Sequence, residues 1–190
     1  MRQILFGALS IAGLVVALFI SPTASAQVAN DHLIIPGERV GPISLGMSTQ
    51  DLYKALGEPT QSVTGNDGTW ASYSWQDLTV QTDLPSGKVS HISVSGPSYS
   101  IDNNLRVGAS ELALRANLPN PQSTTAQTPE SKLFCYAAGL AVRARADPNY
   151  SEKIESMTVR SPGCSATGSY VCFHFEGGVT HLDRKCTREN

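Results

Sequence analysis

Past residue 26 the apolar residues come in short bursts, and the spacing within each burst predicts an element. Leu52, Ala55 and Leu56 fall on one face at i, i+3, i+4, the spacing of a helix with a single buried side. Ser48 stands where a hydroxyl can accept an orphan N–H of the first turn. Asp51 follows three residues later and suits the positive helix end. Gly57 offers a left-handed cap and Pro59 forbids continuation. Ile43 and Leu45 form a strand-like lead into this helix. Downstream the period changes to two. Thr69 to Ser74 and Leu78 to Thr82 read as strands across a Gln76-Asp77 turn, and Lys88 to Ser95 as a third strand after Pro85-Ser86-Gly87. Ser62 to Gly68, rich in Thr, Gly, Asn and Asp, reads as a loop.

The same punctuation returns 62 positions later. Gly108-Ala109-Ser110-Glu111 matches Gly46-Met47-Ser48-Thr49, Leu114 matches Leu52, Leu118 matches Leu56 and Pro121 matches Pro59. Leu140 and Val142 match Leu78 and Val80. After a three-residue insertion, Met157 and Val159 match Ile92 and Val94. The pattern predicts a second helix over Ser110 to Leu118, a loop over Gln122 to Ser131, and strands over Lys132 to Ala137, Leu140 to Ala144 and Lys153 to Val159. Beyond Ser161 the pattern has no counterpart. There Glu176-Gly177-Gly178 separates Tyr170 to Phe175 from Val179 to Leu182, a hairpin signal that predicts two added edge strands.

The expected fold class is therefore α+β: two tandem helix-plus-antiparallel-strand repeats forming one shared sheet with helices on one face, plus a C-terminal disulfide-linked β-hairpin. The divisions are a leader peptide over 1–26, a polar lead over 27–38, repeat one over 39–100, repeat two over 101–162 and the hairpin extension over 163–190. Residues 39–190 would make one domain.

Composition changes this picture in two ways. Residues 1–26 carry Arg2, an apolar run from Ile4 to Ile20, a Ser21-Pro22 break and an Ala24-Ser25-Ala26 cleavage pattern. That is the layout of a removable secretory signal, so the expected location is periplasmic or secreted, with no membrane span after removal. Export meets an oxidising compartment, so the four cysteines are expected to form two disulfides. Three connectivities are possible. The one that joins neighbouring segments pairs Cys135 with Cys164 and Cys172 with Cys186. Net charge is −2 and evenly spread, which argues against nucleic acid as a partner.

The stretch Gly46-Met47-Ser48-Thr49-Gln50-Asp51-Leu52 with Leu56-Gly57-Glu58-Pro59 resembles the signature of small bacterial envelope proteins, the BamE/OmlA (SmpA) lipoproteins and, in tandem form, the β-lactamase inhibitory proteins. The resemblance spans about 19 residues. It implies a helix–sheet unit with a sheet face that binds proteins. This chain has no lipidated Cys, and its second copy has Ala109 for the Met and Pro119 near the stop. No contact residue is carried over.

Candidate chemistry is sparse. Alternation along the strands sets Leu78 and Val80 toward the helices and Tyr73, Trp75, Gln81 and His91 toward the other face, with Trp70 nearby and Arg143 and Arg145 on the equivalent surface of the second unit. Aromatic and Arg side chains amid small polar ones suit a protein-binding surface. His174, Glu176 and His181 beside cysteines could ligate zinc, but their spacing fits no ligand pattern, and they read as surface residues. No nucleophile elbow, zinc-protease motif or phosphate-binding loop occurs. The expectation is a non-enzyme with no cofactor and no metal, whose partner is another protein: an inhibitor or immunity-type module for a secreted or periplasmic hydrolase. The alternative is an envelope-assembly or structural accessory factor of the BamE type. An uncharacterised enzyme is the third reading.

Overall fold

A computed structural model describes residues 31–128, 130–146, 152–162, 172–176 and 179–183. The leader expected over 1–26 lies outside them. Three two-residue strands, β1 (Ile34–Ile35), β2 (Arg39–Val40) and β3 (Ile43–Ser44), form a small sheet of their own. Helix α1 (Thr49–Leu56) follows, then β4 (Gln61–Thr64), β5 (Trp70–Ser74), β6 (Leu78–Asp83) and β7 (Lys88–Val94). A short connection, β8 (Ser100–Ile101), one turn of 3₁₀ helix and β9 (Leu105–Arg106), leads to α2 (Glu111–Asn117). Next come β10 (Ser123–Thr128), β11 (Ser131–Tyr136), β12 (Leu140–Ala146) and β13 (Glu152–Arg160), and finally β14 (Cys172–Glu176) and β15 (Val179–Asp183).

Eight of these strands make one antiparallel sheet in the order β10-β11-β12-β13-β7-β6-β5-β4. The two chain-terminal strands of the meanders, β7 and β13, meet at its centre through Val94–Met157, Ser93–Thr158, Ile92–Val159 and His91–Arg160. Directly opposed residues share a face, so the core can be read as cross-strand rows. One row runs Tyr73, Val80, Ile92, Val159, Leu140, Tyr136. The next runs Leu78, Val94, Met157, Val142, Phe134. Apart from half-buried Tyr73, these residues are buried, and they pack with Leu52 of α1, Leu114 of α2, and Ile34, Val40, Ile43, Ile101 and Leu105.

Both helices start as their sequence dictates. The Ser48 hydroxyl accepts from the Asp51 N–H at 3.1 Å and the Ser110 hydroxyl from the Ala113 N–H at 3.2 Å. Each helix buries one central leucine completely. Gly57 closes α1 with φ +75, a value that costs a residue without Cβ little. Beside α2, buried Glu111 accepts from Arg115 at 2.7 Å and Lys132 at 3.3 Å, and Lys132 also reaches Glu152 at 2.6 Å. Arg115 lies over the Phe134 ring, 5.0 Å from its centre, a cation–π contact.

These findings correct the expected fold class. The protein is mostly β, built on one eight-stranded antiparallel sheet with two short helices, and not on two tandem helix-plus-strand repeats. The difference arises at Gln61–Thr64 and Ser123–Thr128. Ser62 to Thr64 and Ser123 to Thr128 lie within segments expected as loops, and they belong to edge strands instead. Edge strands can be polar on both faces, so no alternation marks them. The hairpin pairs β14 with β15 in a separate two-stranded sheet and adds no edge strands to the main sheet. Cys135 on β11 is buried and disulfide-bonded. Cys164, Cys186 and the Cys172 side chain lie outside the described residues, as does the expected pairing. Among the described residues no helix is long and apolar enough to cross a membrane.

Candidate functional site: the sheet face opposite the helices

Helices and short strands cover one face of the eight-stranded sheet. The opposite face is lined by the other half of the alternation. Its central row is made of hydroxyls: Ser74 opposes Thr79, Thr79 opposes Ser93 and Ser93 opposes Thr158. The Ser93 and Thr158 hydroxyls bond at 2.8 Å across the β7–β13 seam, and Ser74 and Thr79 approach to 3.4 Å. A second row holds Ser72, Gln81, His91 and Arg160. Toward β12 the face carries Arg143 opposite Ser156 and Arg145 opposite Lys153.

Five of the seven residues singled out from the sequence share this face: Trp70, Gln81, His91, Arg143 and Arg145. Trp70 lies at one end, where its indole covers Gly65; a Cβ there would strike the ring. Gln81 is 8% exposed, beside Ser72 at 7%; the Gln81 Oε1 and Ser72 Oγ atoms have no hydrogen-bond partner. His91 Nδ1 lies 3.1 Å from the Ser90 hydroxyl, which donates to the Gln81 carbonyl. Burial, with Arg160 beside it, holds the His91 imidazole below its usual pKa. Burial also lowers the Arg143 guanidinium, against the pull of Glu155 and with the push of Arg145. Arg145 is exposed and approaches Glu155 at 3.5 Å.

Tyr73 and Trp75 do not belong to this face. Tyr73 opposes Val80, and its ring meets Tyr53 of α1 edge-on at 5.6 Å. The Trp75 N–H donates to the Leu78 carbonyl at 2.8 Å, and its side chain packs against the core with the indole Nε1 buried and unpartnered. The reason lies in the turn. With two residues between Trp75 and Leu78, positions 75 and 78 oppose each other, so odd positions before the turn share a face with even positions after it. The same count through the turn was available in the sequence. The sequence also concealed Glu155, displaced by the register shift in the β12–β13 ladder, and Arg160, whose N–H donates to the Gly139 carbonyl.

Among the described residues no group of three His, Cys, Asp or Glu side chains gathers as a metal site. The hairpin register sets His174 opposite His181; their side chains lie outside what is described. The face as found carries hydroxyl, amide, imidazole and guanidinium groups, of which Arg145 is exposed, Ser72 and Gln81 are buried and the others are half-buried.

No family model matches the chain, and no curated protein does either. Among solved structures it is similar to a DUF4309 family protein, YjgB, of Bacillus subtilis, at 15% identity and a TM-score of 0.45, covering 66% of this chain and 88% of that one. It is similar to the uncharacterized protein yfeY of Escherichia coli at 16% identity and a TM-score of 0.41, covering 66% and 95%. A cysteine-rich secretory protein, SAV1118, of Staphylococcus aureus gives 15% identity and a TM-score of 0.44, covering 66% of this chain and 46% of that one.

Proposed function

We propose that this is an exported, non-enzymatic protein-binding module that receives its partner on the face of the eight-stranded sheet opposite the helices. The observation that carries this reading is the gathering of Trp70, Gln81, His91, Arg143 and Arg145 on one face around the Ser74–Thr79–Ser93–Thr158 row. A rigid sheet loses little freedom on association, so polar contacts made from it keep more of their free energy. The leader pattern over residues 1–26 supports export, to the periplasm or beyond the cell. The resemblance of Gly46 to Pro59 to the signature of BamE-type envelope proteins is in keeping with a role in binding other proteins there. The partner is a secreted or envelope protein, a hydrolase in the sharper form of the proposal.

The test uses the full mature chain as bait in envelope and secreted extracts. Trp70→Ala with Arg145→Glu should weaken capture of any stoichiometric partner at least tenfold while circular dichroism and the melting midpoint stay unchanged. Tyr53→Ala, on the helix side, should leave capture as it was. Undiminished capture by the double variant would overturn the assignment of the face.

A further inference from the structure

The two edges of the main sheet are not alike. At one edge, β10 is interrupted by a register shift between Ala126 and Thr128, a device that discourages a further strand from adding. At the other, β4 is regular along its whole length and pairs with β5 through Gln61–Ser74, Ser62–Tyr73, Val63–Ser72 and Thr64–Ala71. It carries no charge, no proline and no bulge. Ser62, Val63 and Thr64 are exposed, and Val63, at 38%, is one of only three exposed large hydrophobics among the described residues.

The Gly65 N–H donates to the Trp70 carbonyl at 2.9 Å, which fixes the alternation along β4. Gly65, Val63 and Gln61 turn their backbone groups inward to β5. Ser62 and Thr64 turn theirs outward. A strand added at this edge must meet those two residues. An antiparallel second β4 does so with both of its own outward residues in one register only: Ser62 opposite Thr64 and Thr64 opposite Ser62, with Val63 opposite Val63 at the two-fold axis. Shifting the sum of paired positions by two leaves one outward residue of each copy unused. In the full register the valines form a non-hydrogen-bonded pair, with Cα atoms about 4.5 Å apart and side chains in contact. The Ser–Thr pairs lie on the opposite side, where hydroxyls can bond across strands. No charged residue lies among the paired positions 62–64.

We propose that β4 is a self-pairing edge, and that two copies of this chain join there about a two-fold axis into one continuous sheet. A four-residue edge buries far less than the roughly 1,200–2,000 Å² of a stable interface, so the dimer is weak and reversible and fills only at high concentration. The axis stands perpendicular to the sheet, so the faces opposite the helices in the two copies lie on the same side of the joined sheet. The pairing itself does not depend on what that surface binds.

The full mature chain is examined by sedimentation velocity and amide hydrogen exchange from about 10 μM to about 1 mM, a span of two decades in concentration over which a weak complex fills. The expected result is a mass that rises toward the dimer, with the Ser62 and Thr64 amides slowing in step. Val63→Lys should stay monomeric with both amides fast, and Thr125→Lys on the opposite edge should behave like the unsubstituted chain. Val63→Cys gives an independent probe: mild oxidation should link two copies through position 63. A chain that stays monomeric with fast exchange at both amides, a dimer that survives Val63→Lys, or one lost with Thr125→Lys would each overturn the proposal.

Discussion

His91 places an ionisable ring at the end of the seam between β7 and β13, opposite Arg160 and next to Gln81. Burial, and secondarily the Arg160 charge, hold its folded pKa below the ordinary value of 6.5. The unfolded chain therefore binds a proton that the folded chain refuses. Stability should fall as pH drops from about 6.5 toward the folded value, and level off below it. Urea unfolding at pH 7.5 and pH 5 would read this as a lower midpoint at pH 5. His91→Gln should remove most of the difference while Gln81 and Ser90 stay in place. The Asp31 carboxylate behaves differently. Hydrogen bonds from Arg39 at 2.9 and 2.7 Å draw it down to about 2, so its contribution is complete above the unfolded carboxylate range and lost only in stronger acid. The two serine caps were legible at this scale, because a cap is a local arrangement of a hydroxyl and an N–H three residues on. The environment of His91 was not, because Arg160 is 69 positions away in the chain.

At the scale of elements, the helices and the six inner strands follow from periodicity, since each has one face that must be buried. The edge strands do not. Gln61–Thr64 and Ser123–Thr128 carry polar residues on both sides, and what makes them strands is the partner beside them. The faces of β5 and β6 needed one more step than alternation, the count through the two-residue turn, and that step moves Tyr73 and Trp75 to the helix side. One junction between elements is unusually tight. Gly139, in the turn between β11 and β12, has φ +84; a Cβ there would meet the Arg160 carbonyl oxygen and lie 2.8 Å from the Gly37 Cα. Gly139→Ala should therefore destabilise the fold by more than about 1 kcal/mol, from backbone strain and the clash together. Thermal unfolding would record this as a lower midpoint. Gly68→Ala shares a positive φ, but nothing lies within 4 Å of its Cβ position, so it should cost less.

The main sheet is assembled from two four-stranded meanders that meet at β7 and β13. Helices and short strands seal one side. The other side keeps a row of hydroxyls flanked by amide, imidazole and guanidinium groups, and its recognition role is the central claim. Photo-crosslinking residues placed singly at Trp70, Arg145 and Leu112 test it most directly. Leu112, 79% exposed on α2, is the control on the helix side. In native envelope or secreted material, positions 70 and 145 should join the same partner protein, and position 112 should not. A partner joined from position 112 and from neither 70 nor 145 would contradict the account.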